Sequence, residues 1–565
     1  MGVNERKYNP PKKLKEPENK DIISSLPDEL LGRILSFLPT KYSVATSVLS
    51  TRWRNAYKLS SNLDFDDSII FNTRDEDMRN QRKNLFRKFV SRVLEQCNIS
   101  QIDKFRLNCV SNTCDSLIKG WVHAICLHKL VEFELSIDRS VHCELSLSQS
   151  FCQNLAVFRM DCSFRLHIPT SVTFPNLRVL HLKDITFEGY SKSSVYTSFD
   201  KDEVVGFADH ELNMILSKCS LLEELVIVHC ELRLSKLRVQ CELQLSQLTC
   251  RNLLKLKLDC RFILSIPNSV TFPNLKVLFF KDITFVGMHS TLVHHDLNGI
   301  LVGCPLLEEL AIIGCDWDGR DLWFTNPLLQ NLTLEDGLSE PLDQLNGSMV
   351  HFDLPSLVWF NYRVGLATHY VIRNLDSVAH AQLEIGFNDD DFDDEQQLCD
   401  TILDLIEGIC SCRSLNLSRQ CLEALTSGNF ELPIFSKLTE LELTLGIDFD
   451  WSDVLLDFLN CSPCLESLTL VQGGKRPSQR SGQFLLEAQD VPSCVHSHLK
   501  SINIKYFKGF KGEKKLVKYF LRNANLLQEM VIEWDQRYKE TDFLAKEDEI
   551  LHLPKSSVSC SISFK

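Results

Sequence analysis

Two clusters of side chains in this sequence have the residue types of a metal site. Cys461 and Cys464 form the one Cys-x-x-Cys motif, but no second such pair or His pair follows at the spacing of zinc ligands. The acidic run 389–395 offers carboxylates to calcium, yet it lacks the glycine and terminal glutamate spacing of an EF-hand loop. We interpret this run as a solvated loop that also places negative charge at a helix N-terminus.

The common catalytic motifs are absent from the sequence. It contains no Gly-x-Ser-x-Gly, His-Glu-x-x-His or phosphate-binding Gly-rich loop, and no Cys/His ladder of the RING type. We therefore expect no catalytic residue, no metal and no cofactor. The chain should act by binding other molecules.

The bulk composition narrows the class of partner. A net charge of −14 with 44% apolar residues describes a folded protein poorly suited to nucleic acid or an acidic membrane. No apolar run approaches 18 residues, and residues 1–17 lack the apolar core of a signal peptide. We expect a cytoplasmic and/or nuclear location, in which the 22 cysteines stay reduced and mostly act as small buried hydrophobes.

A basic stretch near the C-terminus allows two interpretations. Lysines at 505, 508, 511, 514 and 515 are interleaved with Tyr506, Phe507 and Phe510. Such a pattern can form a stacking surface for nucleic acid. It can also be a charged turn whose aromatic side chains lie in the core, and we favour this second interpretation.

The stretch Leu26 to Trp53 predicts three short helices. Ser25 can cap the first helix, Pro27 suits a first-turn position, and Asp28 adds negative charge at the helix start. Apolar residues then recur at three- and four-residue spacings until Pro39. About 30 residues cannot enclose all of these side chains, so part of this surface should be covered by a partner.

This stretch resembles a plant-type F-box. The matching pieces are Leu26 to Leu31, Ile34 to Thr40 and Thr46 to Arg54. Thr51 and the Ala56-Tyr57 pair depart from the usual pattern, which affects partner preference more than fold. The resemblance implies docking on a Skp-type adaptor, and through it on a cullin. The residues matched to the family's adaptor contacts are Leu26, Pro27, Leu30, Ile34, Leu38, Pro39, Val48 and Trp53.

From about residue 100 the sequence repeats a Leu-x-x-Leu-x-Leu template, with other apolar residues allowed. Most intervals are 21–34 residues, which is the spacing of leucine-rich repeats. Each repeat should supply one short parallel strand to a continuous core and a returning helix. The sixteen template positions are Ile102, Leu130, Leu155, Leu177, Leu222, Leu253, Leu275, Leu307, Leu329, Leu357, Val378, Cys412, Leu438, Leu465, Leu499 and Leu527.

A longer duplication overlies these repeats. Cys143 to Gly189 aligns with Cys241 to Gly287 at an offset of 98, with 30 of 47 positions identical. The first copy then carries an insertion near Ser191 to Glu203. Leu180 and Leu278 should therefore occupy equivalent core sites a few coils apart.

Residues 491 to 534 resemble the FBD domain that follows leucine-rich repeats in many plant F-box proteins. The matching pieces are Leu499 to Ile504, Phe507 to Phe510 and Leu516 to Met530. The predicted fold class is α/β: a leucine-rich-repeat solenoid, with a curved parallel sheet and outer helices, preceded by a small all-α F-box. The predicted segments are a disordered basic tail (1–20), the F-box (21–60), a linker and helix (61–99), repeats (100–490) and an FBD-like domain (491–565).

The resemblance implies a non-catalytic subunit of a Skp–cullin–F-box ubiquitin ligase, whose repeats bind the protein to be ubiquitinated. A small-molecule receptor with a pocket on the repeats and a ligase-independent scaffold remain alternatives. Residues between the template leucines should face the concave side. The alternative is that some of these apolar residues pack under a covering loop such as the insertion. The candidate substrate-binding residues are His181, Glu224, Lys255, Lys257, Phe279 and Glu309.

Overall fold

The structure, a computed structural model, is organised around one long parallel sheet. It describes residues 23–68, 75–97, 102–110, 115–190, 195–197, 204–206, 209–234, 237–238, 241–244, 251–265, 271–285, 297–315, 321–336, 349–365, 367, 369–385, 395–446, 452–473, 491–537 and 543–565.

Eighteen strands in the described residues form this sheet, and each pairs in parallel with the next one along the chain. This arrangement is a leucine-rich-repeat solenoid, because each coil contributes one strand and contacts its neighbours. We call these the inner strands: Asn62–Asp66, Lys104–Cys109, Glu132–Ile137, Val157–Asp161, Val179–Lys183, Glu224–Val228, Lys255–Asp259, Val277–Lys281, Glu309–Ile313, Asn331–Glu335, Trp359–Arg363, His380–Leu383, Ser414–Leu417, Glu440–Leu445, Ser467–Gln472, Ser501–Phe507, Glu529–Trp534 and Ser561–Phe564.

The template leucines explain these strands. In most of the strands buried and half-exposed side chains alternate, so one face joins the core and the other, which we call the open face, is accessible. All sixteen template positions are followed by an inner strand that begins two residues later. The open face corresponds to the side that the sequence predicts to be concave.

Several coils add a second strand after a sharp turn. Asp184, His229 and Asp282 follow inner strands directly and have positive φ values of 59°, 50° and 56°. This left-handed backbone redirects the chain into flanking strands. In the described residues the flanking strands form three sheets: Glu144–Ser146, Arg165–His167, Thr186–Tyr190, Asp209–His210, Glu231–Leu234 and Leu237–Arg238; Cys241–Gln244, Phe262–Ser265 and Thr284–Phe285; Leu322–Thr325, Met349–Asp353 and His369–Arg373. A separate antiparallel pair joins Val195–Thr197 to Val204–Gly206.

Helices connect many of the inner strands. The helix predicted within the segment 61–99 is observed as Glu76–Gln96 and is capped by Asp75, whose side chain accepts from the backbone N–H groups of Asp77 and Met78. The other α-helices of the repeat region are Asp115–Cys126, Gln149–Cys152, Glu211–Leu216, Leu297–Val302, Glu395–Gly408, Arg419–Ser427, Ser452–Cys461, Ser493–Ser497, Lys511–Asn523 and Phe543–Leu551. Most of the described cysteines are buried between these layers.

The duplication produces equivalent coils, as predicted. Leu180 and Leu278 lie at the same position of inner strands Val179–Lys183 and Val277–Lys281, and both are fully buried. The positive-φ residues Asp184 and Asp282 are also 98 positions apart. The insertion at 191–203 lies largely outside the described residues, as does most of the acidic run 389–395.

The N-terminal boundary of the sheet differs from the prediction. The segment 61–99 is more than a linker and a helix, because Asn62–Asp66 is the first inner strand and pairs with Lys104–Cys109. Leu63 and Phe65 bury their side chains in the common core. The repeat template misses this strand because Ser60 occupies the position of its first leucine.

The FBD-like region continues the same sheet. Inner strands Ser501–Phe507, Glu529–Trp534 and Ser561–Phe564 extend it beyond residue 490, where the predicted repeats end. Trp534 packs against Phe564 and donates from Nε1 to Glu547 Oε1 at 2.9 Å. These contacts attach the final helix and strand to the solenoid.

A buried carboxyl lies at the start of helix Lys511–Asn523. Glu513 is 5% exposed, and its Oε2 accepts from the backbone N–H groups of Phe510 at 2.8 Å and Lys508 at 3.1 Å. Burial raises the pKa of Glu513 to about 7, although these hydrogen bonds act in the opposite direction.

This raised pKa predicts a pH dependence of stability. Because the folded state holds the Glu513 proton up to about pH 7 and the unfolded state releases it near 4.5, stability should fall as pH rises through that interval. In the wild type the free energy of unfolding should fall by about 3 kcal/mol over this interval, and in Glu513→Gln this fall should be absent. The free energy is measured by unfolding in urea at each pH. Glu431→Gln, at an exposed site, serves as the control. Identical profiles for wild type and Glu513→Gln would contradict this assignment.

Candidate binding surfaces

The N-terminal segment folds into helices around a small core of its own. Its α-helices are Asp28–Leu35 and Thr40–Ala45, and 3-10 turns cover Ile23–Ser25, Thr46–Val48 and Trp53–Leu59. Leu31, Leu35, Trp53 and Ala56 form the core, with Leu26 partly buried against it. Pro27, and not Ser25, precedes the first helix.

A surplus of apolar side chains remains on the outside of this segment. Leu30 and Ile34 are 46% and 42% exposed because the helical period that buries Leu31 and Leu35 turns them outward. Val48 is 86% exposed, and Leu38 and Pro39 are also accessible. Three further exposed residues, which the motif comparison did not single out, are Phe37, Tyr42 and Leu49. We call this set the apolar surface of the N-terminal segment.

One predicted adaptor contact is wrong. Trp53 is 6% exposed and belongs to the segment's core, so its side chain is not available to a partner in this structure. Its indole is buried in one cluster with Leu31 and Leu35 of the first helix. Arg52, the residue before it, instead reaches the surface and pairs with Asp28 at 3.1 Å.

Charged residues on the first coils of the open face neutralise one another. Arg106 lies 3.1 Å from Asp64 and 3.7 Å from Glu134, and Glu134 also pairs with Arg159. Arg159 Nε donates to His181 Nδ1 at 3.2 Å, which leaves the Nε2–H to donate to Glu224 Oε2 at 3.1 Å. This series of cross-strand contacts is called the charge ladder below.

Burial lowers the pKa of His181, and the adjacent Arg159 guanidinium lowers it further, while the hydrogen bond to Glu224 acts in the opposite direction. A depression of 360 Å³ opens at this part of the face, lined by ladder members such as Arg106 and His181. Because these charges are already paired, the depression offers few free polar groups to a small molecule.

The next coils carry charges of a different kind. Lys255 and Lys257 form no ion pair with any residue that the structure describes. Lys257 Nζ lies 4.3 Å from the centre of the Phe279 ring, a cation–π contact. Val226 and Val277 lie next to these lysines on the neighbouring strands. The predicted residues Lys255, Lys257 and Phe279 therefore lie together, whereas His181 and Glu224 are paired within the ladder.

Trp359 is a further open-face residue that the sequence analysis did not identify. It is 45% exposed, and its ring lies 5.1 Å from that of His380 on the next strand. Its position after Leu357 in the repeat template gives the signal that could have found it. Glu309, another candidate, lies in the same column as Lys255 and Trp359, between the two.

The two remaining motifs have structural explanations. Phe507 is buried and Lys508 is 3% exposed, while Lys505 pairs with Glu442 at 2.9 Å, which favours a charged turn over a nucleic-acid surface. The aromatic side chains lie in the core only in part, because Tyr506 is 48% exposed and Phe510 is half-buried. Cys461 and Cys464 are half-buried, and the described residues contain no cluster of three or more His, Cys, Asp or Glu arranged to hold a metal. In the same part of the chain, no helix is long and apolar enough to cross a membrane.

Comparison with known domains places these surfaces in context. Residues 23–58 match the F-box domain model, and residues 487–532 match the FBD model. The chain contains an F-box and an FBD domain. The apolar surface of the N-terminal segment therefore belongs to the F-box, and inner strand Ser501–Phe507 and most of Glu529–Trp534 to the FBD domain.

Relatives that match most of this chain are named as F-box proteins, two of them with leucine-rich repeats. F-box/LRR-repeat protein At3g59200 of Arabidopsis thaliana is 25% identical, over 96% of this chain and 88% of its own. F-box/LRR-repeat protein At3g59210 from the same organism is 26% identical, over 96% and 94%. F-box protein At4g27050, also from Arabidopsis thaliana, is 24% identical, over 96% and 99%. These relatives support a general substrate-adaptor role.

The packing inside the F-box gives a prediction. A Cβ atom on Gly32 would lie 2.6 Å from the carbonyl oxygen of Leu59, so Gly32→Ala should force the first helix away from the last 3-10 turn. Backbone amides over 28–59 should then exchange at least tenfold faster, as measured by hydrogen exchange with mass spectrometry.

Gly120→Ala is the matched control. Gly120 also lies within a helix, and a Cβ there would meet nothing within 4 Å. Its substitution should leave exchange unchanged or slow it slightly, since Ala favours helix by about 1 kcal/mol. Equal protection of the F-box in the two variants would refute the close-packing argument.

Proposed function

We propose that this protein is the substrate-recognition subunit of a Skp–cullin–F-box ubiquitin ligase. Its F-box docks on a Skp-type adaptor, and its repeats bind the protein to be ubiquitinated. The observation that carries the proposal is the apolar surface of the F-box, which includes Leu30, Ile34 and Val48. Contiguous exposed apolar side chains of this kind mark protein–protein interfaces.

The F-box is also joined firmly to the repeats. Thr40 Oγ1 accepts from the Asp64 backbone N–H at 2.7 Å, and Asn62 Nδ2 donates to the Ser36 carbonyl at 2.7 Å. A partner docked on the F-box is therefore held in a fixed relation to the open face of the sheet.

Such a subunit contributes position rather than catalysis. The sequence lacks the usual catalytic motifs, so the chain would hold a substrate lysine near a thioester carried by another subunit. Raising the effective concentration of the two reacting groups accelerates their reaction without any new chemical group.

Adaptor binding provides the direct test. Leu30→Ala with Ile34→Ala should weaken binding of a Skp-type adaptor at least tenfold, because each buried Leu or Ile contributes roughly 1.5–3 kcal/mol to an interface. Leu26 and Pro27 belong to the same proposed surface, but Leu26 also packs on the F-box core, so its substitution would mix binding with folding. Binding is measured by calorimetry on the purified full chain.

The control removes two leucines of similar exposure elsewhere. Leu85 and Leu127 lie outside the F-box and are 61% and 58% exposed. Their double substitution by Ala should leave adaptor affinity within twofold of wild type. If wild type itself binds no Skp-type adaptor, the protein is a ligase-independent scaffold instead.

A further inference from the structure

The duplicated coils present different surfaces on the same scaffold. Offset by 98 positions, Val157, Arg159 and His181 of the first copy become Lys255, Lys257 and Phe279 of the second. Both sets lie at equivalent open-face positions, on inner strands whose alternation of burial differs only at the last position of one pair, where Asp259 is buried and Asp161 is half-buried. The core of the two copies is equivalent, so the difference concerns what the open face can bind.

In the first copy the charges are satisfied internally, through the charge ladder. In the second, the replacement of His181 by Phe279 leaves Glu309, the counterpart of Glu224, without the histidine that Glu224 contacts. Lys255 and Lys257 likewise form no ion pair in the part of the chain that the structure describes, and Glu224, which lies opposite Lys255 on the neighbouring strand, contacts His181 instead. Unpaired charges beside apolar side chains are the features of an interface that selects its partner by charge.

These features follow one column of the sheet. Lys255, Val277, Glu309, Asn331 and Trp359 are directly opposite one another on five consecutive inner strands. At about 4.8 Å per strand, Lys255 and Trp359 lie about 19 Å apart, which an extended chain covers in about six residues. We call these five strands the lysine–tryptophan strip.

We propose that the lysine–tryptophan strip binds an extended segment of the substrate protein, with acidic residues over Lys255 and Lys257 and a large apolar residue over Trp359. This inference rests on the function proposed above and specifies its substrate class. Glu309 excludes further acidic residues from the middle of the segment by repulsion. Trp359 offers the large, partly exposed aromatic surface typical of residues that dominate interface energies.

Carboxylates suit this strip better than phosphate groups do. Phosphate recognition favours the bidentate fork of arginine. The nearby arginines Arg159 and Arg363 are each already paired with glutamates. The lysines that remain are compact point charges, which match single carboxylates of Asp and Glu side chains.

The test uses the full chain co-purified with a Skp-type adaptor. A phage-displayed library of random 12-residue peptides is selected on this complex, and the enriched sequences are synthesised for fluorescence anisotropy. The expected peptides carry two Asp or Glu residues and, about six positions away, a Trp, Phe or Leu. Enrichment of basic or purely apolar peptides would overturn the proposal, as would no enrichment at all.

Variants then locate the binding site. Lys255→Glu with Lys257→Glu should weaken the enriched peptides at least tenfold, and Trp359→Ala should do the same. The control, Lys437→Glu with Lys518→Glu, makes the same charge change at two exposed sites off the open face and should stay within twofold. Equal losses in the control and the test variant would show that only net charge matters and would refute the assigned site.

The duplication supplies a second variant that should fold normally. Lys255→Val, Lys257→Arg and Phe279→His together place the first copy's open-face residues on the second copy. Loss of peptide binding with unchanged thermal unfolding is the expected result, and retained binding would overturn the proposal. Co-purification of the adaptor is scored in every preparation, so failure of adaptor binding tests the proposed function separately from the strip.

Discussion

The hydrogen bond from the Asp64 backbone N–H to Thr40 Oγ1 joins the F-box to the edge of the sheet, and the relation between the two binding surfaces depends on it. Asn62–Asp66 is the first strand, so its outer edge would otherwise present unpaired backbone groups. Thr40 is 3% exposed at this junction, and the bond from Asn62 to Ser36 lies beside it. The F-box thus acts as the cap that a repeat array requires at its end.

The pairing of charges on the open face depends on the register of neighbouring inner strands. Parallel pairing in register places side chains of successive coils about 4.8 Å apart, so opposite charges on neighbouring strands meet without any further design. In the first coils, residues such as Arg106 and Glu134 use this proximity to neutralise one another. Around Lys255 and Phe279 the alternation of charge is broken by apolar residues, and the surface becomes available to other molecules.

Most of the fold could be predicted from the sequence because buried leucines at fixed spacing leave the chain few alternatives. The repeat template does not detect the first and last strands of the sheet, because it depends on those buried leucines. Asn62–Asp66 lacks the first leucine of the template, and Ser561–Phe564 alternates exposed and half-exposed side chains, so neither strand carries the full set of buried leucines. A strand can therefore be predicted from the sequence only if it buries apolar side chains at the template positions.

The binding surfaces were less predictable, because contacts between coils depend on residues far apart in the chain. The motif placed Trp53 with the adaptor contacts, but packing within the F-box buries it. His181 and Glu224 look like free polar residues in the sequence, and only the register of their strands shows that they pair with each other. Trp359 was overlooked because the template describes the buried positions and says little about those between them.

The continuous sheet also sets the distance between the F-box and each binding surface on the open face. Six strand intervals separate Asn62–Asp66 from Lys255–Asp259, which fixes a distance of about 29 Å between the F-box junction and the first lysines of the strip. Each additional coil inserted between them would move a bound protein outward by about 4.8 Å and rotate it by the local twist of the sheet. The duplication within residues 143–287 thus changed more than the surface chemistry, because adding coils also resets where a bound protein is presented.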